Sequence, residues 1–154
     1  MDIASERCLT ELAIYSGLFL IAFGAATILP LQSEWVFVGL LLDGSNQWEI
    51  VVLVASLGNI SGSIVNWLLG RSFAHFQDSS WFPASREGIT RAEGWYHRYG
   101  RVSLLLSWVP IIGDPLTVVA GILREPLWSF TIFVGIAKVA RYLLLTAITL
   151  NWIS

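Results

Sequence analysis

The sequence predicts an all-α integral membrane protein, with two re-entrant helical hairpins and two full transmembrane helices arranged as an inverted repeat. Three observations carry this. The 154 residues are 55% hydrophobic and 13% charged, with a mean hydropathy of +0.67, whereas a soluble domain carries about 25% charged residues. The charges collect in short stretches between four apolar blocks, Leu12–Leu42, Ile50–Gly70, Val102–Leu123 and Leu127–Ile153. The first block is interrupted by one proline and an acid, the third by two prolines and an acid.

The N-terminal stretch comes first. Asp2, Glu6 and Glu11 stand where a signal peptide needs positive charge, so the first apolar block is read as part of the mature chain. Crossing about 30 Å of hydrocarbon takes about 20 apolar residues. Block one is too long for one such helix and is broken by "ILPLQSEW", where Pro30 removes a backbone donor and Glu34 follows. Freed backbone groups at membrane depth must be covered by protein or water, which favours a hairpin of Leu12–Ile28 with Glu34–Leu42. A full crossing by Leu12–Ile28 stays open. Block two reads as an ordinary crossing. In it Gly58, Gly62, Asn66 and Gly70 recur every four residues, with Asn59 and Ser63 on the adjoining row. Such a stripe lets another backbone approach closely. It serves either helix packing alone or packing that also brings Asn59 or Asn66 to a site.

The polar connector, residues 71–101, holds five of the nine Lys/Arg residues, and the loop Asp43–Glu49 holds none. The positive-inside rule therefore places the connector in the cytoplasm. Ile89, Ala92, Tyr96 and Tyr99 follow helical spacing and Gly100 supplies a stop, predicting an amphipathic helix on the membrane surface or packed on the hairpins. Block three breaks at Pro110, Gly113, Asp114 and Pro115, giving a second hairpin of Val102–Val109 with Leu116–Leu123. Block four reads as the second crossing. The units 12–70 and 102–153 thus repeat a hairpin and a helix within a single membrane domain, 1–154, and the intervening crossing inverts the second unit. Trp35, Trp48, Trp67, Trp108, Trp128 and Trp152 lie near block ends, as an interfacial belt requires.

Chemistry is expected where charge enters the apolar blocks. Lys138 and Arg141 lie about halfway along block four, one turn apart on one face. Each costs about 2.5–3.5 kcal/mol at the bilayer centre. Glu34 and Asp114 are the acids at comparable depth, so the four groups are read as partners. They form either a neutral cluster that locks the hairpins or a site at which an acid exchanges a proton while the cations hold an anionic group. A half-helix starting at Pro115 would add partial positive charge suited to phosphate. Other classes have less behind them. The net charge of −2 offers no basic surface for nucleic acid. Cys8 is the single cysteine and no Cys/His cluster exists, so no metal or cofactor is expected. His75 and His97 are isolated from any nucleophile or paired carboxylate, so no enzyme is expected.

"LPLQSEWVFVGLLL", "LGNISGSIVNWLLGRS", "WYHRYGRVSLLLSWVPIIGDPLTVVAGILREPLWSF" and "IAKVARYLLL" resemble the DedA family of membrane proteins, which carry a VTT (SNARE-associated) domain. The resemblance runs from about Ile28 to Leu145, and Gly113–Pro115 points to the short YqaA-type branch. It implies a multi-pass bacterial inner-membrane protein with two oppositely inserted re-entrant hairpins. It also implies lipid transport: flipping of the undecaprenyl phosphate carrier, dependence on the proton motive force, or phospholipid scrambling. Glu34 would be the acid of hairpin one, Pro110 the proline of hairpin two and Ala120–Gly121 the small pair after it. The better-studied branch has arginines three residues either side of that proline, where this chain has Ser107 and Gly113. Phosphate binding then falls to Lys138, Arg141 or Arg124, or the substrate differs. The expected partner is a membrane lipid with an anionic head group, and a homo-oligomer is left open. A proton-coupled carrier of small solutes and a non-transporting assembly protein are the alternatives.

Overall fold

The computed structural model describes residues 3–27, 33–44, 47–72 and 86–153. The break at Pro30, and residues 73–85 of the connector with His75, lie outside them. Helix α1 is Ile3–Thr27, α2 Ser33–Leu42, α3 Trp48–Arg71 and α4 Arg86–Tyr99. A 3₁₀ segment, Gly100–Trp108, leads to α5, Pro110–Ile122, and α6, Leu127–Ile153. There is no strand among the described residues.

Three helices among the described residues, not the two expected, are long and apolar enough to cross a membrane: Glu6–Thr27, Trp48–Arg71 and Leu127–Trp152. The difference is α1. It continues N-terminally past Leu12 to Ile3, because no proline or glycine interrupts "IASERCLTEL". By contrast α2 is about 15 Å long and α5 about 20 Å, each short of the hydrocarbon thickness.

Central helix α3 packs against α1, α5 and α6. Its small residues are the reason. A Cβ on Gly58 would lie 2.5 Å from the Phe19 carbonyl oxygen, and one on Gly62 2.6 Å from that of Phe23. The facing row of α1 is Leu18, Ala22 and Ala26, all buried. In the last turn of α3, Gly70 meets the Val118 carbonyl of α5, and Gly121 of α5 meets the Trp67 carbonyl of α3. The stripe therefore joins α3 to two different neighbours.

The second break is narrower than the sequence suggests. It is confined to Val109, extended at φ −82° and ψ 122°, as a residue preceding proline favours. Pro110 is the first helical residue, where its missing N–H costs nothing. Gly113, Asp114 and Pro115 lie inside α5, which begins at Pro110 and not at Pro115. Gly113 rests on the Ser107 carbonyl, closing the 3₁₀ segment onto α5. An arginine at 113 could not occupy that seam, which gives the departure at Gly113 a structural reason.

α5 ends in a Schellman turn. The Glu125 N–H donates to the Ala120 carbonyl at 2.9 Å and the Arg124 N–H to that of Gly121 at 3.0 Å, with Arg124 left-handed at φ 56°. Helix α4 forms where expected and packs on α5, burying Ala92 against Leu116 and Val119. Tyr99 is instead exposed. Of the tryptophans read as a belt, Trp35, Trp48, Trp108, Trp128 and Trp152 are exposed, but Trp67 is 5% exposed and stacks near Phe130. It is a core residue, because the α3 stripe turns that face inward.

Candidate intramembrane charge site

Two apolar clusters bracket the middle of the bundle. Toward one end Leu18, Phe37, Leu41, Val51 and Ala55 pack with Tyr142, and toward the other Trp67, Leu104, Phe130 and Val134 pack together. Between them lies a polar layer. Lys138 stands about 16 Å along α6 from Leu127 and Arg141 about 21 Å, too deep for either to reach an interface.

Both cations meet the acids named from the sequence. Arg141 Nη2 pairs with Glu34 Oε1 of α2. Lys138 Nζ lies 3.8 Å from Asp114 Oδ1 of α5, an ion pair longer than a hydrogen bond. The exposure is asymmetric: Lys138 is 3% exposed and Asp114 30%, Arg141 16% and Glu34 33%. Each base sits behind its acid. One face of α6 thereby ties together the two short helices that cannot span on their own.

The asparagines of α3 complete the layer. Asn59 Nδ2 donates to the Ala22 carbonyl at 3.3 Å and to the Tyr142 hydroxyl at 3.4 Å, and Ser33 lies 3.3 Å from that hydroxyl. Asn66 Nδ2 donates to the Ala26 carbonyl at 2.7 Å and to Thr117 Oγ1 at 3.3 Å, and Thr117 donates to the Asp114 carbonyl at 2.7 Å. A carbonyl can only accept, so these contacts fix both amide orientations. Asn59 Oδ1, Asn66 Oδ1 and Ser107 Oγ are buried with no partner among the described residues. Of Asn59 and Asn66, either of which was expected to reach a site, both bond to α1 and touch the charge layer.

Arg124 does not join this layer. It is exposed in the turn after α5, about 15 Å along the helix from Asp114.

Sequence reasoning missed a third acid. Glu125, 7% exposed, accepts a hydrogen bond from the Tyr96 hydroxyl of α4 at 2.5 Å, and Arg101 Nε lies 2.7 Å from its other oxygen. Trp67 Nε1 donates to its backbone carbonyl at 3.1 Å, and Arg71 covers the Trp67 ring at 5.0 Å. Burial, then the hydrogen bond and charge of Glu125, raise the Tyr96 phenol well above its ordinary pKa, so it stays a donor at physiological pH. Glu125 sits between two apolar blocks in a stretch that reads as a plain loop; the tyrosine and tryptophan flanking the connector were its available signal. Tyr96→Phe removes a hydrogen bond to a carboxylate, worth about 1.5–3 kcal/mol. Amide exchange across α4 is expected to accelerate about tenfold or more in that variant while α3 is unchanged; equal exchange in both proteins would show that Glu125 does not hold α4.

The family model of the VTT domain matches residues 15–150. The chain is 39% identical to the inner membrane protein YqaA of Escherichia coli (strain K12) over 140 residues, covering 91% of this chain and 93% of the relative. The same figures hold for YqaA of Shigella flexneri. An uncharacterized protein of Haemophilus influenzae is 33% identical over 135 residues, covering 83% of this chain and 82% of the relative. No solved structure matches the chain.

Proposed function

The chain belongs to the VTT domain family and is an inner-membrane protein, and from that premise we propose that it moves a lipid bearing a phosphate between leaflets. An undecaprenyl-phosphate-like carrier or an anionic phospholipid has the required head group. In this reading α1 with α2, and the 3₁₀ segment with α5, are re-entrant hairpins of an inverted repeat, the part of α1 before Leu12 lying outside the bilayer and the connector in the cytoplasm. The lengths of α2 and α5, each short of a crossing, support that arrangement.

The observation that carries the proposal is the pair of mid-depth ion pairs on one face of α6. Apolar residues of similar volume would hold the same helices as well or better, because desolvating two charges offsets their attraction. Stability alone therefore gives no reason for four ionisable groups here, and intramembrane charges of this kind mark transport or proton pathways. Lys138 and Arg141 attract the phosphate, Glu34 and Asp114 act as their counter-charges in its absence, and protonation of a displaced acid couples the step to protons.

The test is transport in proteoliposomes with a fluorescent lipid phosphate. Glu34→Gln and Asp114→Asn are expected to remove transport while eluting as folded protein. Full transport by both variants would overturn the proposal. Uptake of a small solute with no lipid movement by the unaltered protein would replace it with a solute carrier.

A further inference from the structure

Two candidate membrane spans, Trp48–Arg71 and Leu127–Trp152, have ends near Glu125, which puts a membrane boundary at that level. α3 ends at Arg71 and α6 begins at Leu127, and the Tyr96 hydrogen bond fixes α4 at that level. Helix α4 presents Ala92 and Tyr96 to the bundle. Around from these, Trp95, Arg98 and Tyr99 join Val102, Leu105 and Leu106 of the 3₁₀ segment in lining a cavity of about 590 Å³. That volume lies within the range of small-molecule sites, about 300–1,000 Å³.

The lining determines what can enter. Its walls are mainly aromatic and aliphatic, and its open side is flanked by Tyr99 and Val102, 54% and 59% exposed. Arg98 is the charged residue of the lining, its guanidinium 5.5 Å from the Tyr99 ring centroid. It has no carboxylate partner among the described residues. Arg91, two turns earlier on the same side of α4, is exposed and likewise has none. An apolar cleft at the membrane boundary with unpaired guanidinium at its edge matches an acyl chain joined to an anion.

We propose that this cleft binds one anionic phospholipid, with an acyl chain between α4 and the 3₁₀ segment and the phosphate on Arg98. The site is separate from the mid-membrane charge layer and holds whether or not that layer transports lipid. Its function is to seat α4 against the bilayer.

The full-length protein in nanodiscs of phosphatidylcholine, doped with lipid brominated on the acyl chain, tests this. The Trp95 contribution to fluorescence is the difference between the unaltered protein and Trp95→Phe. A basic residue near an anionic surface contributes about fivefold in partitioning. Brominated phosphatidylglycerol is therefore expected to quench Trp95 at about one-fifth of the mole fraction that brominated phosphatidylcholine requires. Arg98→Gln is expected to abolish that difference and keep the quenching. Equal quenching by the two lipids in the unaltered protein would overturn the proposal in favour of ordinary surrounding lipid. Absence of Trp95 quenching would overturn it in favour of an occupant other than lipid. The measurement reads binding without transport, so its failure is distinguishable from failure of the transport reading.

Discussion

Arg141→Leu lowers stability by about 3–5 kcal/mol, and adding Glu34→Leu in the same chain restores most of the loss. The single change leaves the Glu34 carboxylate, 33% exposed, without the cation it faces in an apolar bundle, where an unpaired charge is costly. The double change removes both charges and leaves two helices that pack by Phe37 and Tyr142, whose rings are 4.8 Å apart. Thermal unfolding of the four proteins of this cycle in one detergent gives the coupling directly. Lys138 and Asp114, at 3.8 Å, are expected to couple more weakly. Simple additivity at Arg141 and Glu34 would mean the two side chains are not partners in solution. The double variant also separates structure from function: it should fold and carry no lipid. If it folds and transports at the full rate, the ion pair is a clasp and nothing more.

The second large effect lies where α3 crosses α5. Gly70→Ala or Gly121→Ala places a methyl group on a backbone carbonyl of the facing helix, Val118 in one case and Trp67 in the other. No side chain can rotate away from the contact, so the helices must separate. Ordinary overpacking costs about 1–3 kcal/mol, and a clash with a backbone carbonyl that cannot move aside exceeds that. Neither variant should yield monodisperse protein after extraction. Alanine at Gly17, Gly39 or Gly94, each with nothing within 4 Å of the added carbon, should leave the yield unchanged. Normal yield from both crossing variants would refute this close approach.

Much of the candidate site was legible beforehand because its signals are local. A lysine and an arginine one turn apart in an apolar block announce themselves without a fold, as do acids beside membrane prolines. The glycine–asparagine stripe of α3 was visible as a four-residue period, but the partner of each residue was not. Gly58 and Gly62 took α1, Gly70 took α5, and Asn59 and Asn66 divided their amide between α1 and the charge layer. Glu125 escaped because a single acid between two blocks has no periodicity. Its burial depends on Tyr96, Arg101 and Trp67 arriving from three other elements.

The sequence by itself determined that this chain lives in a membrane, that its helices are interrupted near Pro110, and that four charges enter its apolar blocks. Those conclusions follow from residue hydropathy and helical period, which act over a few turns of chain. The tertiary structure decided that Glu125 is buried, that Asp114 lies within a helix, and that Arg141 takes Glu34 while Lys138 takes Asp114. Either acid could satisfy either base on charge alone. Pairing was settled by α2 packing on α6 at Arg141 and by the 3₁₀ segment, which packs on both α5 and α6, holding Asp114 opposite Lys138, contacts between segments apart in the chain.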